Sequence, residues 1–166
     1  MDEEQKASLS RILKELESHR GRHTELVTVY IPAGYNLNMV AKQLEAEKST
    51  AQNIKSSATK NNVVDALERM SRHLKLYKTT PKNGLALFCG NISKVEGQQL
   101  IELWTVEPPQ ELKTKLYRCD QEFVLHPLKN MLEAGKVYGL IVIEKKEATI
   151  GMLEGKEIRV LQKMTS

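Results

Sequence analysis

Cysteine is almost missing from this chain: Cys89 and Cys119 are the only two, and neither belongs to a CxxC pair. That excludes a disulfide framework and gives no sign of a zinc site, so two free thiols are expected. Long hydrophobic runs are missing as well. The longest apolar stretches, residues 26–31 and 138–143, are strand-sized, well short of the roughly 20 residues that a membrane helix needs. The start, Met1-Asp2-Glu3-Glu4, is acidic and carries no secretory apolar region. The expectation is a cytoplasmic protein with no membrane partner. His19, His23, His73 and His126 are scattered without metal-ligand spacing, and no nucleophile or acid–base pair stands out. No metal, no cofactor and no catalytic residue is therefore assigned.

What is present suits one compact core: 166 residues, 40% apolar and 28% charged, enough for a single domain and too little for two comfortable ones. The formal net charge is +4 and the pI about 9.0, too modest to decide the partner. Its distribution is more informative. Between residues 53 and 82 stand Lys55, Lys60, Arg69, Arg72, Lys75, Lys78 and Lys82 against only Asp65 and Glu68. Individually most of these are solvated helix positions; together they can steer the segment toward phosphates.

Periodicity gives the order of elements. Leu9, Ile12, Leu13 and Leu16 recur at helical spacing, so residues 3–19 read as an amphipathic helix that Gly21 ends. Residues 26–31 form an apolar, β-branched strand closed by Pro32 and Gly34. Asn36 or Asn38 caps a helix to about residue 48, with Met39, Val40 and Leu44 inward. After a polar connection over residues 49–57 comes a longer helix, on which Val63, Leu67, Met70 and Leu74 line one face. The two helices read as a hairpin whose tip is Asn53-Ile54-Lys55-Ser56. Strands are expected at 84–90 and 99–106, paired across 91–97, and a short extended stretch at 116–123. A helix should open at Pro127 and stop at Gly135, followed by strands at 138–144, 148–153 and about 158–161. The fold class is α+β: a mostly antiparallel sheet of about four to five strands packed between helices, with the hairpin protruding.

A fixed four-letter word such as Asn53-Ile54-Lys55-Ser56 arises by chance in on the order of one chain in a thousand of this length. Read alone, it is also an ordinary cap at Asn53 followed by an exposed lysine. Further on stands Tyr117-Arg118-Cys119-Asp120-Gln121-Glu122-Phe123, a YxCxxxF pattern. In this order the two resemble the NIKS and YxCxxxF signatures of the archaeal and eukaryotic-type class-1 peptide chain release factors. The segment 35–90 is similar to that family throughout, including Glu47 six residues before Asn53, Leu74-Lys75-Leu76-Tyr77 and Asn83-Gly84-Leu85. Gly139-Leu140-Ile141-Val142-Ile143 looks like its late strand. Where eukaryotic members carry Gly-Thr-Ser, this chain has His23-Thr24-Glu25, which leans toward an archaeal member. The family's peptide-releasing Gly-Gly-Gln does not occur. Residues 1–166 are accordingly expected to form one stop-codon-recognition domain, an amino-terminal piece of a larger factor without hydrolase chemistry of its own.

The residue types suit that task. Unpaired RNA is read by stacking and by hydrogen bonds to base edges. Lysine only donates, so Lys55 would satisfy the O4 acceptor of uracil and meet a repelling amino group on cytosine. A carboxylate such as Glu47 accepts only and favours adenine, whereas the hydroxyls of Tyr117 and Thr24 tolerate either purine. The resemblance implies a codon-binding set of Thr24, Glu47, Asn53, Ile54, Lys55, Ser56, Tyr117, Cys119 and Phe123, reading UAA, UAG and UGA. Phe123 reads equally well as core. The implied partners are the mRNA stop codon, small-subunit ribosomal RNA and, through downstream domains, a GTP-binding translation factor. Two other readings stay open: a stalled-ribosome rescue factor, and a generic α+β interaction domain or small enzyme in which the motif letters are coincidental.

Overall fold

In the computed structural model the described residues are 1–134, 137–144, 147–154 and 157–165, with side chains described for 1–133. The first helix, α1 (Glu3–Glu17), starts from a reciprocal cap. Asp2 accepts from the Gln5 amide at 2.8 Å, the Gln5 side chain accepts from the Asp2 amide at 3.1 Å, and Glu3 and Glu4 sit in the first turn, where a helix favours negative charge. It ends at Ser18, short of Gly21. Gly21 has a different duty: its amide donates to the Gln121 carbonyl at 2.8 Å, and a Cβ there would lie 2.8 Å from the His23 carbonyl oxygen.

Four strands form one antiparallel sheet in the order β3-β2-β1-β4: β1 (Leu26–Ile31), β2 (Leu85–Asn91), β3 (Ile101–Val106) and β4 (Leu116–Asp120). The expected 85–106 hairpin is there, with Phe88 opposite Trp104. The stretch written as extended or irregular pairs with β1, setting Tyr117 against Val29 and Cys119 against Val27. All six residues of β1 are buried because both faces of the sheet are covered, so apolar side chains serve at even and odd positions alike.

On one face, Leu26, Tyr30, Ala86 and Phe88 pack with α1 and with α4 (His126–Ala134). On the other, Val27, Val29, Ile31, Leu85, Leu87 and Cys89 pack beneath α2 (Leu37–Ala51) and α3 (Ser57–Leu74). The stripe anticipated on α3 is buried throughout, Leu67 and Met70 completely, each such side chain contributing roughly 1.5–3 kcal/mol of burial. Val40 and Leu44 point inward as expected, but Met39 is 56% exposed, because it follows Val40's inward position by about 100° around the helix. Gly84 is required by geometry: its φ is +98°, and a Cβ would fall 2.5 Å from the Ile31 carbonyl oxygen.

Three later strands, β5 (Val137–Glu144), β6 (Glu147–Glu154) and β7 (Glu157–Thr165), form a separate antiparallel sheet in that order. Their ranges follow the alternation anticipated near the carboxy terminus.

Candidate nucleic-acid interface

The connection between α2 and α3 is shorter than expected, residues 52–56 rather than 49–57, since α2 runs on to Ala51. It turns tightly. The amides of Gln52, Asn53 and Ile54 donate to the carbonyls of Ser49, Thr50 and Ala51 at 3.2, 3.1 and 3.1 Å, closing the helix end with i to i−3 bonds. Ser56, not Asn53, caps α3, its hydroxyl accepting from the Thr59 amide at 3.3 Å. Ile54 is half-buried against the α2/α3 core and so anchors the bend instead of presenting itself. Asn53, Lys55 and Ser56 are exposed. Lys55 makes no hydrogen bond or ion pair with any described residue. Its ammonium is held out by a loop that is itself pinned from below.

One wall beside this tip comes from β4. Tyr117 and Cys119, two residues apart, point to the α2/α3 face, and the Tyr117 hydroxyl lies 3.1 Å from Cys119 Sγ. Burial pushes the proton affinity of the Tyr117 hydroxyl up, with the Cys119 contact and the charge of Glu47 adding to it. Burial likewise raises Cys119; the Tyr117 hydrogen bond opposes that, and Glu47 adds to it. Glu47, half-buried on α2, is therefore electrostatically coupled to both. The three make a desolvated cluster in which hydroxyl and thiol keep their protons and the carboxylate offers lone pairs.

Thr24 is exposed in the bend before β1. The bend is fastened to α3: Glu25, only 3% exposed, accepts from Asn62 Nδ2 at 2.9 Å. Thr24 is thereby held beside the first turns of the helix that the tip opens. Phe123 departs from its expected role. It is 6% exposed on the opposite face of the sheet, its ring edge-on to Phe88 and Trp104 with centroids 5.7 and 5.6 Å away. The chain leaves β4 at Asp120 and crosses under the sheet edge, so the last letter of YxCxxxF belongs to the core and touches no codon. The sequence reading also passed over Glu25 and Asn62; the only signal was Glu25 departing from the serine of eukaryotic members.

Among the described residues no group of three or more His, Cys, Asp or Glu side chains could hold a metal ion, and no helix is long and apolar enough to cross a membrane.

Fold and site together define a helix-covered α+β module that displays one free cation, flanked by half-buried hydroxyl, thiol and carboxylate groups, at the end of a helical hairpin. Residues 4–133 match the family eRF1 domain 1, and the chain belongs to that family. It is 58% identical over 158 residues to "Peptide chain release factor subunit 1" of Thermococcus onnurineus, covering 95% of this chain and 38% of that protein. To the protein of the same name in Methanocaldococcus jannaschii it is 42% identical over 166 residues, 99% of this chain and 39% of that one. Among solved structures it is similar to "archaeal translation termination factor, aRF1", at 36% identity and a TM-score of 0.71 over 96% of this chain and 44% of that one. The chain thus spans well under half the length of the curated relatives it matches.

Proposed function

We propose that residues 1–166 are the stop-codon-reading domain of an archaeal peptide chain release factor, working in the ribosomal decoding site against mRNA and small-subunit RNA. It carries no hydrolytic chemistry itself; release of the peptide, and contact with a GTP-binding translation factor, fall to other parts of the full-length protein. The observation that supports this reading most is the pinned tip with its unpaired Lys55, set on the same side of the sheet as Tyr117, Cys119 and Glu47.

The division of labour follows from donor and acceptor types. Lys55 offers donors alone, matching uracil O4, with Asn53 beside it able to both donate and accept. Ser56 keeps its O–H free to donate, since its oxygen is only accepting as the helix cap. Glu47 accepts from the adenine amino group. Tyr117, engaged with Cys119 but with capacity to spare, and the exposed Thr24 hydroxyl can serve either purine. The test is association of the protein with ribosomes programmed with UAA, UAG, UGA or a sense codon. Lys55→Ala is expected to weaken all three stop complexes about ten- to a hundredfold, the 1–3 kcal/mol of one edge contact. Near-unchanged affinity on all three would remove Lys55 from reading, and equal binding to sense and stop codons would remove the reading itself.

A further inference from the structure

Around the Glu25–Asn62 fastening the structure holds an open cleft of about 410 Å³, on the β2–β3 side of α3 and distinct from the Tyr117 cluster on β4. Arg22 and His23 stand at one rim, Gln98 at the other, with Glu25, Asn62 and Asp65 among the groups between. The polar network inside consumes its own donors. Asn62 Nδ2 donates to Glu25 at 2.9 Å, Asn91 Nδ2 and Gln99 Nε2 donate to Asn62 Oδ1 at 3.3 and 3.0 Å, and Gln99 Nε2 also reaches Asp65 Oδ2 at 2.9 Å. The remaining capacity is acceptor. Glu25 is 3% exposed, yet only one of its oxygens receives a hydrogen bond from a described residue. A carboxylate so withdrawn from water and half-satisfied calls for a donor.

We propose that this cleft is a second base-binding subsite, taking a single amino-bearing nucleobase of unpaired RNA with its amino group on Glu25 and Asp65. Adenine, cytosine and guanine each carry an exocyclic amine; uracil would set carbonyl oxygens against the carboxylates. Arg22 does not compensate for them, since its guanidinium already bonds the Lys94 carbonyl at 2.9 Å and lies 3.7 Å from Glu96. The cleft is the size of one base and lies on α3 within two turns of the capping Ser56. The proposal rests on reading this end of the hairpin as an RNA surface, but not on stop-codon selectivity.

The test uses the four ribonucleoside monophosphates and the side-chain amide resonances of Asn62, Asn91 and Gln99. AMP, CMP and GMP are expected to shift these resonances, with UMP weaker by about tenfold, the smaller end of one base-edge discrimination. Glu25→Gln should collapse the preference. Should that variant fold poorly, Asp65→Asn, at an exposed position, should reduce it in an intact fold. Equal binding of all four nucleotides, shifts confined to residues outside the cleft, or no shift at all, as a cleft meant for a basic side chain of a protein partner would give, overturns the proposal. No codon or ribosome enters this experiment, so its outcome and that of the stop-codon test are independent.

Discussion

The two faces of the four-stranded sheet are built from different materials. Against α1 and α4 the core is aromatic, with Tyr30 edge-on to Phe88 and Phe88 to Phe123, at centroid distances of 5.7 and 5.7 Å. Against α2 and α3 it is aliphatic, and its margin holds Ile54, Tyr117 and Cys119. Rings that lock edge-to-face supply stability in few residues. An aliphatic core with regular helical stripes instead supplies a straight, stiff platform for the tip. The YxCxxxF motif is divided between them: its first two letters belong to the display face and its last to the aromatic one. A single sequence signature thus mixes recognition with structure.

That contrast can be broken in three ways, the largest first. Phe123→Ala removes a ring from the aromatic stack and is expected to cost about 3–5 kcal/mol in denaturant unfolding, while protein that remains folded keeps its ratio of stop to sense codon affinity. A selective loss on one stop codon with little loss of stability would instead return Phe123 to the reading surface.

Alkali should weaken both faces. Burial pushes the Cys89 thiol, on the α2/α3 side, from its ordinary 9.0 up to about 12, with Arg69 opposing and Glu102 adding to the rise. On the other side burial raises the Tyr30 hydroxyl too. The fold holds these protons after the unfolded chain has shed them. The associated stability is therefore whole below pH 9 and declines as pH climbs toward 12. The denaturant midpoint should fall across that window. Cys89→Ala should flatten part of the fall and Tyr30→Phe another part, and an unchanged slope in both variants would contradict the assignment.

The smallest effect is the most local. Tyr117→Phe removes one hydroxyl hydrogen bond, to Cys119, so stability should change by no more than about 1 kcal/mol. Tolerance of both purines should narrow, visible as a wider spread of affinities among UAA, UAG and UGA. An unaltered spread would leave Tyr117 a packing residue like Phe123.

Much of this was legible in the residues. The stripe Val63, Leu67, Met70 and Leu74 fixed the burial of α3, and the 26–31 run its place as a strand. Asn53-Ile54-Lys55-Ser56 marked the tip between two helices because a turn of polar residues separated two periodic segments. What stayed hidden depends on partners far along the chain. Met39 looked apolar enough for the core, but a helix covering one sheet face buries only one stripe, and Met39 lies off it. Phe123 shares a motif with Tyr117, yet three residues beyond the end of β4 the chain has changed sides. The Glu25–Asn62 bond joins residues 37 positions apart, and no local pattern announces such a pair.

The central claim is that Lys55 selects the first base by offering a donor where cytosine offers another. The direct measurement is the affinity of the wild-type protein and of Lys55→Ala for ribosomes programmed with UAA or CAA, taken at two salt concentrations. The account predicts that the wild type prefers UAA by about ten- to a hundredfold, and that Lys55→Ala loses most of that preference while its salt dependence changes little. If Lys55→Ala weakens both complexes equally and flattens the salt dependence, the lysine touches phosphate and not uracil, and the account fails.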